Sequence, residues 1–342
     1  MAALPQELRV EEGHARTCVL AKFGIQRCPK IYDNVIEHLG KGHFGSVALV
    51  ELPSRRFAVK KIGKAQLAKD KSALLLLKNE IEAGMACDNP FVVKMYDYYE
   101  DKDNVCLVFE LLIESLKSRF GQLLHGIPED FARYYVAQAF LALNHLHSKG
   151  YTHNDVWIEN FLLDKQGFLK LIDFGFAFKL EDFKDPIKRK EYIGIENSMP
   201  FRGWYYNRAP ERIELKEYGP SSDFWALGLL TYRLAFAKEA FNAIPAKEKE
   251  TEEEKIARWQ KEETMILTAD YEWPESAKVS DNMRNFISSL LVVDPKKRLG
   301  HANPDEIKNH VWFTSVNFDW EALVRKDVNC FREYLQVSEI PN

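Results

Sequence analysis

HNDVWIENFLL at residues 153–163 and LKLIDFGFAF at residues 169–178 decide how this chain is read. Asp155 and Asn160 sit in a polar break between apolar segments, and Asp173 stands just beyond a stretch that reads as a buried strand. An aspartate so placed can accept the proton of a hydroxyl group. An asparagine and a second aspartate can hold magnesium, which needs few protein ligands when phosphate oxygens supply the others.

Working outward, Pro128 opens PEDFARYYVAQAFLALNHLHSKG, an amphipathic helix that Gly150 ends. Downstream, SSDFWALGLLTYRLAF reads as a buried helix capped by Ser221 or Ser222, and DNMRNFISSLL as another helix. Between them AKEKETEEEKIARWQKEE mixes both charge signs and reads as a solvated helix or insertion. NRAPERI, DFWALG and DPKKRLG supply Glu211, Asp223 and Arg298. Each taken alone is an ordinary surface charge.

The N-terminal third has a different texture. YDNVIEHL and SVALVEL are short and apolar-rich, with GKGHFG between them, and RRFAVKKI follows a Pro-Ser turn. With VVKMYDYYE and NVCLVFELL they read as strands of an antiparallel sheet. Residues 72–87 read as a helix with Ser72 as its cap. The glycines Gly40, Gly42 and Gly45 share the spacing of a dinucleotide-binding turn, but that turn needs a helix directly after it and an acid about 20 residues on, whereas a strand follows here. The spacing alone then fits a phosphate-covering loop and an ordinary Gly-rich hairpin equally well. Glycines in a strand-turn-strand let backbone amides close over phosphates. FAVK puts Lys60 on the next strand, and Glu80 falls on the helix after it. A sheet lysine held by a carboxylate from a facing helix is an arrangement that grips phosphate oxygens. The fold class is therefore α+β. A small antiparallel β-rich lobe with one main helix (31–112) joins a larger α-helical lobe (113–315), with the ligand expected between them. A loosely held arm (1–30) and a tail (316–342) flank them.

Composition sets outer bounds. In 342 residues, 46% are apolar and 29% charged, enough to bury a core and stay in solution. A net charge of −4 gives no reason to expect a nucleic-acid or membrane partner. No apolar run reaches the roughly 18 residues that span a bilayer. The first residues lack a secretory pattern, and Ala2 excludes N-myristoylation. The odd, scattered cysteines Cys18, Cys28, Cys87, Cys106 and Cys330 read as reduced thiols, which places the chain inside the cell, in the cytoplasm. His145 and His147 do not share a helix face, so they do not make a metal site.

In this order and spacing, the motifs resemble those of the eukaryotic protein kinases over roughly residues 31–325. DNPFVVKMY, FARYYVAQAFLALNHLHSKG, DFGFA, DPKKRLG and NHVWFTSVNFDWEAL look like the AGC group, and within it the kinases dependent on cyclic AMP and cyclic GMP. No cyclic-nucleotide-binding domain is present, so the layout is closer to a separate catalytic subunit. The resemblance implies the bilobal protein-kinase fold, ATP and Mg2+ as cofactors, and protein serine/threonine kinase activity. It makes Asp155 the catalytic base, supported by Lys60 and Glu80. It lays Gly40, Lys41, Gly42, His43, Phe44 and Gly45 over the nucleotide, with Val47 and Ala58 beside it. Phe109 becomes the gatekeeper, and Glu110 to Leu112 the hinge that holds adenine. Glu159 and Asn160 complete the nucleotide contacts, and Asn160 and Asp173 hold the metal. Glu211 and Arg298 form a buried ion pair, and Asp223 braces the catalytic loop.

The sequence also departs from that pattern. The family lysine two residues after the catalytic aspartate is Trp157, and the threonine that bonds to it is Trp204. Losing one such stabilising group costs about 100- to 1000-fold in rate, by analogy with an oxyanion-hole donor. The arginine that grips a loop phosphate is Asn154, and the phosphorylated threonine aligns with Pro200, so activity is not expected to depend on that phosphate. KDPIKRKEY reads as a solvated insertion. Gly84 replaces an apolar side chain, which loosens its helix and costs about 1 kcal/mol of propensity. Of the acids that recognise substrate arginines, Glu159 is kept, but Leu116 and Arg233 stand at two others, so the basic consensus does not carry over. The tail ends at EIPN without the aromatic motif that folds back on the small lobe in many relatives. Partners are a protein substrate, and a regulatory protein at that groove or at the substrate cleft. The reading is an ATP- and Mg2+-dependent serine/threonine kinase of attenuated activity. Its alternative is a pseudokinase that binds nucleotide and serves as an interaction module.

Overall fold

A computed structural model describes residues 35–331, apart from 43–44, 53–54, 70, 121–124, 199–206, 215–218, 242–249 and 275–278. The expected arm at 1–30, the last residues of the tail, and the expectations for His43, Phe44, Pro200 and Trp204 lie outside the described residues. The chain divides into two compact units. One runs through Asn89 and resumes at Val93–Leu112, and the other joins Pro90–Val92 to Ile113 and all that follows.

The first unit is a five-stranded antiparallel sheet with helices. Its strands are β1 (Val35–Gly42), β2 (Gly45–Leu52), β3 (Arg55–Gly63), β4 (Met95–Glu100) and β5 (Asn104–Glu110), in spatial order β1-β2-β3-β5-β4. Helices α1 (Lys64–Lys69) and α2 (Lys71–Ala86) lie between β3 and β4 in sequence. Side chains alternate across a strand, and this sheet is packed on both faces. Val50, Phe57, Val59, Tyr99, Cys106 and Val108 form one cluster. Ile62, Leu67, Ala73, Leu77, Ile81, Met95, Val105 and Leu107 form the other, which includes the inner side of α2. That helix buries Ala73, Leu76, Leu77, Glu80 and Ile81, the helical i, i+3, i+4, i+7, i+8 spacing. Ser72 lies inside the first turn of α2 and does not cap it, because the helix begins one residue earlier. At Gly84 the space for a side chain is filled from β4: a Cβ there would meet Met95 Cε at 2.8 Å.

The second unit is mainly helical. β6 (Glu114–Ser115) and α3 (Leu116–Phe120) lead to α4 (Glu129–Ser148). Pro128 stands before the first turn of α4, and Gly150, at φ +84°, lets the chain leave it. The polar break follows, flanked by β7 (Tyr151–Thr152), β8 (Phe161–Leu163), β9 (Leu169–Leu171) and β10 (Phe178–Lys179). Then come α5 (Pro186–Ser198), α6 (Pro210–Ile213), α7 (Pro220–Phe236), α8 (Glu252–Thr268), α9 (Asp281–Leu290), α10 (Asp305–Lys308), α11 (Val311–Thr314) and α12 (Trp320–Val324). From Glu252 the charged run is helix α8, and Thr251 and Glu254 close a capping box at its start.

A second capping expectation is corrected. Neither Ser221 nor Ser222 caps α7, which starts at Pro220 after Gly219. Pro suits the first helical turn because it has no N–H to leave unpaired. The serines turn to tertiary partners: Ser221 Oγ meets His301 Nδ1 at 2.7 Å, and Ser222 Oγ donates to Glu211 Oε1 at 2.9 Å. The KDPIKRKEY stretch is largely exposed, as expected, and from Pro186 it forms the start of α5. That helix buries Tyr192 and Ile195, and the Tyr192 ring lies 4.2 Å from Phe178 and stacks on Phe183 at 5.3 Å.

Candidate active site

Two groups of candidate residues form, one in each unit. In the first unit, β3 places Lys60 beside the inner face of α2, where Glu80 occupies an otherwise apolar core position. A carboxylate buried there needs a partner. Lys60 supplies it, with Nζ 2.7 Å from Glu80 Oε1. The strand register sets Val47 opposite Lys60 and Ala58 opposite Phe109. Phe109 packs against the core cluster on the α2 side of the sheet. Glu110 is turned back on its own sheet, its carboxylate accepting from the Lys94 amide at 2.8 Å. Leu112 ends the unit, half-buried.

The glycines play unlike parts. Gly42 pairs with Gly45 across the strand ends, and Lys41 with Ser46. At Gly45 an added Cβ would lie 2.1 Å from the Lys61 carbonyl oxygen, so the approach of β3 alone demands glycine. At Gly40 nothing lies within 4 Å of an added Cβ, so packing does not require it.

In the second unit, one buried carboxylate fixes the polar break. Asp223 enters from the first turn of α7. It accepts from the His153 amide through Oδ2 and from the Asn154 amide through Oδ1, both at 2.8 Å. His147 Nε2 lies 2.7 Å from Oδ2 as well. Burial pushes the Asp223 carboxyl up, but these donors outweigh it and hold it below its usual value. His153 Nδ1 accepts from the Asp155 amide, which leaves Nε2 to donate to the Ile172 carbonyl at 2.9 Å. The ring is thereby held in one tautomer, and burial keeps it below its ordinary pKa.

Asp155 is 8% exposed. Asn160 Nδ2 donates to its main-chain oxygen and to its Oδ2. Burial, and then the charge of Asp173, push Asp155 up to about 7, against the pull of Asn160, Arg212 and Arg208. Asp173 itself accepts from the Gly175 amide at 3.2 Å. Asp173 and Asn154 both have positive φ, 59° and 64°, a region that Asp and Asn tolerate better than other side chains.

This donor set suits magnesium. Asn160 spends its amide nitrogen on Asp155, which frees its oxygen to face a cation. Asp155 and Asp173 are like charges close enough to feel each other. Two protein ligands are the few that Mg2+ uses when phosphates complete its shell.

The larger frame agrees with this arrangement. Arg298 and Glu211 pair bidentately, Nη1 to Oε1 at 2.7 Å and Nη2 to Oε2 at 2.8 Å, with the arginine side chain fully buried. The protein kinase domain family matches residues 34–313. This chain belongs to the protein kinase family. The kinase domain is 29% identical over 295 residues to the cAMP-dependent protein kinase catalytic subunit 2 of Drosophila melanogaster, covering 85% of this chain and 75% of that one. It is 27% identical over 340 residues to the RAC serine/threonine-protein kinase of the same organism, covering 96% of this chain and 50% of that one. It is 29% identical over 311 residues to its atypical protein kinase C, covering 89% and 48%. The chain thus spans about half the length of two of these relatives. All are AGC-group kinases, in line with the motifs.

Some contacts of the kinase site had no sequence signal. Arg212 Nη1 donates to the Asn154 carbonyl at 2.7 Å, and Asn154 Nδ2 donates to the Phe176 carbonyl at 2.9 Å and to Thr152 Oγ1 at 3.0 Å. Where a family arginine would reach for a phosphate, a short amide ties the loop to its own neighbours. Lys117 forms an ion pair with Glu159 and lies 6.0 Å from the ring centre of Trp157. No helix among the described residues is long and apolar enough to cross a membrane.

Proposed function

We propose that this kinase domain transfers the γ-phosphoryl group of ATP to a serine or threonine hydroxyl of a protein, at a reduced rate. The observation that carries this reading is the hold on Asp155. A buried carboxylate, gripped twice by Asn160 on a loop pinned by Asp223, suits a general base. The acceptor oxygen forms a bond to the γ-phosphorus as the bond to the β-phosphate bridging oxygen breaks. ADP departs, and the hydroxyl proton goes to Asp155. Lys60, steadied by Glu80, is directed to phosphate oxygens. Gly40, where packing asks for no glycine, suits a backbone that a nucleotide approaches closely. Glu110 to Leu112 serve adenine. Asn160 and Asp173 hold Mg2+, which when bound neutralises charge on the phosphates. Most of the rate in such reactions comes from positioning, and those residues are present.

Trp157 slows the step. It removes a cation where charge develops, a loss of about 100- to 1000-fold by analogy with an oxyanion-hole donor. That same residue favours the second reading, a pseudokinase whose nucleotide-bound form is an interaction surface. Cys87 and Cys106, both buried and outside any disulfide, support an intracellular, cytoplasmic setting. Labelled ATP, Mg2+ and mixed protein substrates, run beside Asp155→Ala, test the reading. Transfer above the control supports the kinase. ATP binding without transfer leaves the module.

A further inference from the structure

The loop after Asp155 is built in layers. Val156 and Ile158 are buried, while Trp157 and Glu159 are half-exposed above them. The short helix α3 is anchored beside this loop by its buried residues Leu116 and Phe120. Between those anchors Lys117 projects outward, its side chain 55% exposed. Its ammonium meets the loop twice, in the ion pair with Glu159 and near the Trp157 ring. Glu159 is the acid that the resemblance assigns to a substrate arginine. Here a lysine of the same chain already stands against it. A second such position repeats the pattern: Arg233 replaces an acid and pairs with Glu239 at 3.1 Å.

We infer that Lys117 sets substrate choice, taking the place of a substrate arginine at Glu159 and turning this side of the catalytic loop toward acceptor segments that carry acidic residues next to the target hydroxyl. The inference rests on the kinase reading. An arginine that approaches Glu159 must displace Lys117 and then face its charge at contact distance, and like charges so placed oppose binding. A carboxylate has the opposite experience. The pair with Glu159 is exposed and therefore weak, so the ammonium can exchange Glu159 for a peptide carboxylate at little cost. Glu159 is itself 35% exposed and stays solvated when released. The guanidinium of Arg212, held at the Asn154 carbonyl, adds positive charge to the same loop.

Fluorescent peptides with one serine acceptor, preceded by Arg, Gln or Glu at three positions, distinguish the outcomes. Equilibrium binding is measured by anisotropy with the full chain and with Lys117→Gln and Lys117→Glu. Melting temperatures check that the variants are folded. The wild type is expected to bind the Glu peptide about tenfold more tightly than the Arg peptide. Lys117→Gln narrows that ratio, and Lys117→Glu inverts it. Transfer rates follow the same order. Equal or undetectable binding of the Glu and Arg peptides, or an unchanged ratio in Lys117→Glu, overturns the inference. Charge-selective binding without any transfer keeps the inference and sinks the kinase reading, whereas transfer without charge selectivity does the reverse.

Discussion

Asn160 Nδ2 donates to both the main-chain oxygen and the Oδ2 of Asp155, each at 2.7 Å. One residue thus positions the proposed base and offers its remaining oxygen to a metal. Asn160→Ala should lose both roles. The transfer rate should fall by about 100-fold or more, the scale of a small misplacement of a catalytic group. ATP affinity without metal should change only a few-fold. A rate within threefold of wild type would contradict the positioning role.

Asn154 stands at φ 64° and ties the loop to Thr152 and Phe176. Asn154→Ala keeps a Cβ in that conformation and loses the bonds, so it should cost about 2 kcal/mol. Asn154→Gly loses the bonds but relieves the strain, and should cost about 1 kcal/mol less. Urea unfolding reads the difference, and equal losses would deny the strain. Because this amide is committed to the loop itself, phosphatase treatment should change the transfer rate by less than about twofold.

The Arg298–Glu211 pair is buried and bidentate. Arg298→Met leaves the Glu211 charge uncompensated and should destabilise the fold by about 3–5 kcal/mol. Adding Glu211→Met should recover part of that loss, because the double change removes both charges. A double variant no more stable than Arg298→Met alone would contradict this account.

Glu129, at the start of α4, accepts from the Ser280 amide and hydroxyl and from Trp312 Nε1. Burial alone would raise its carboxyl, but these bonds and Arg133 leave it below its ordinary value. The folded protein therefore holds this proton less tightly than the unfolded chain. The stability it contributes is present above the unfolded pKa, about 4.3, and is lost as pH falls through the lower folded value. Stability of Glu129→Gln, measured from pH 6 downward by thermal melting, should be lower near neutrality and fall less steeply in acid. An equally steep fall would remove Glu129 from the acid response.

Much of this was legible because its signals are local. The spacing of Asp155 and Asn160, the strand carrying Lys60, and the apolar stripe that includes Glu80 depend on periods of a few residues. What escaped depends on tertiary partners. Ser221 and Ser222 look like caps until His301 and Glu211 engage them. Charge dominates the sequence of α5, yet Tyr192 and Ile195, three residues apart, bury its inner side. Gly84 reads as a loosened helix, but Met95 from β4 fills its space. Glu159 reads as the acid that the resemblance assigns to a substrate arginine, but the cation that meets it comes from 42 residues away.

Single-turnover transfer from labelled ATP, with Mg2+ and a phosphorylatable protein mixture, tests the central claim most directly. Wild type, Asp155→Ala and Trp157→Lys are compared after each is shown to bind ATP. Wild type should transfer slowly but clearly above Asp155→Ala. Trp157→Lys should be faster than wild type, by up to about 100-fold if the missing cation is the main deficit. Wild type indistinguishable from Asp155→Ala, with ATP bound in both, would contradict phosphoryl transfer by this chain.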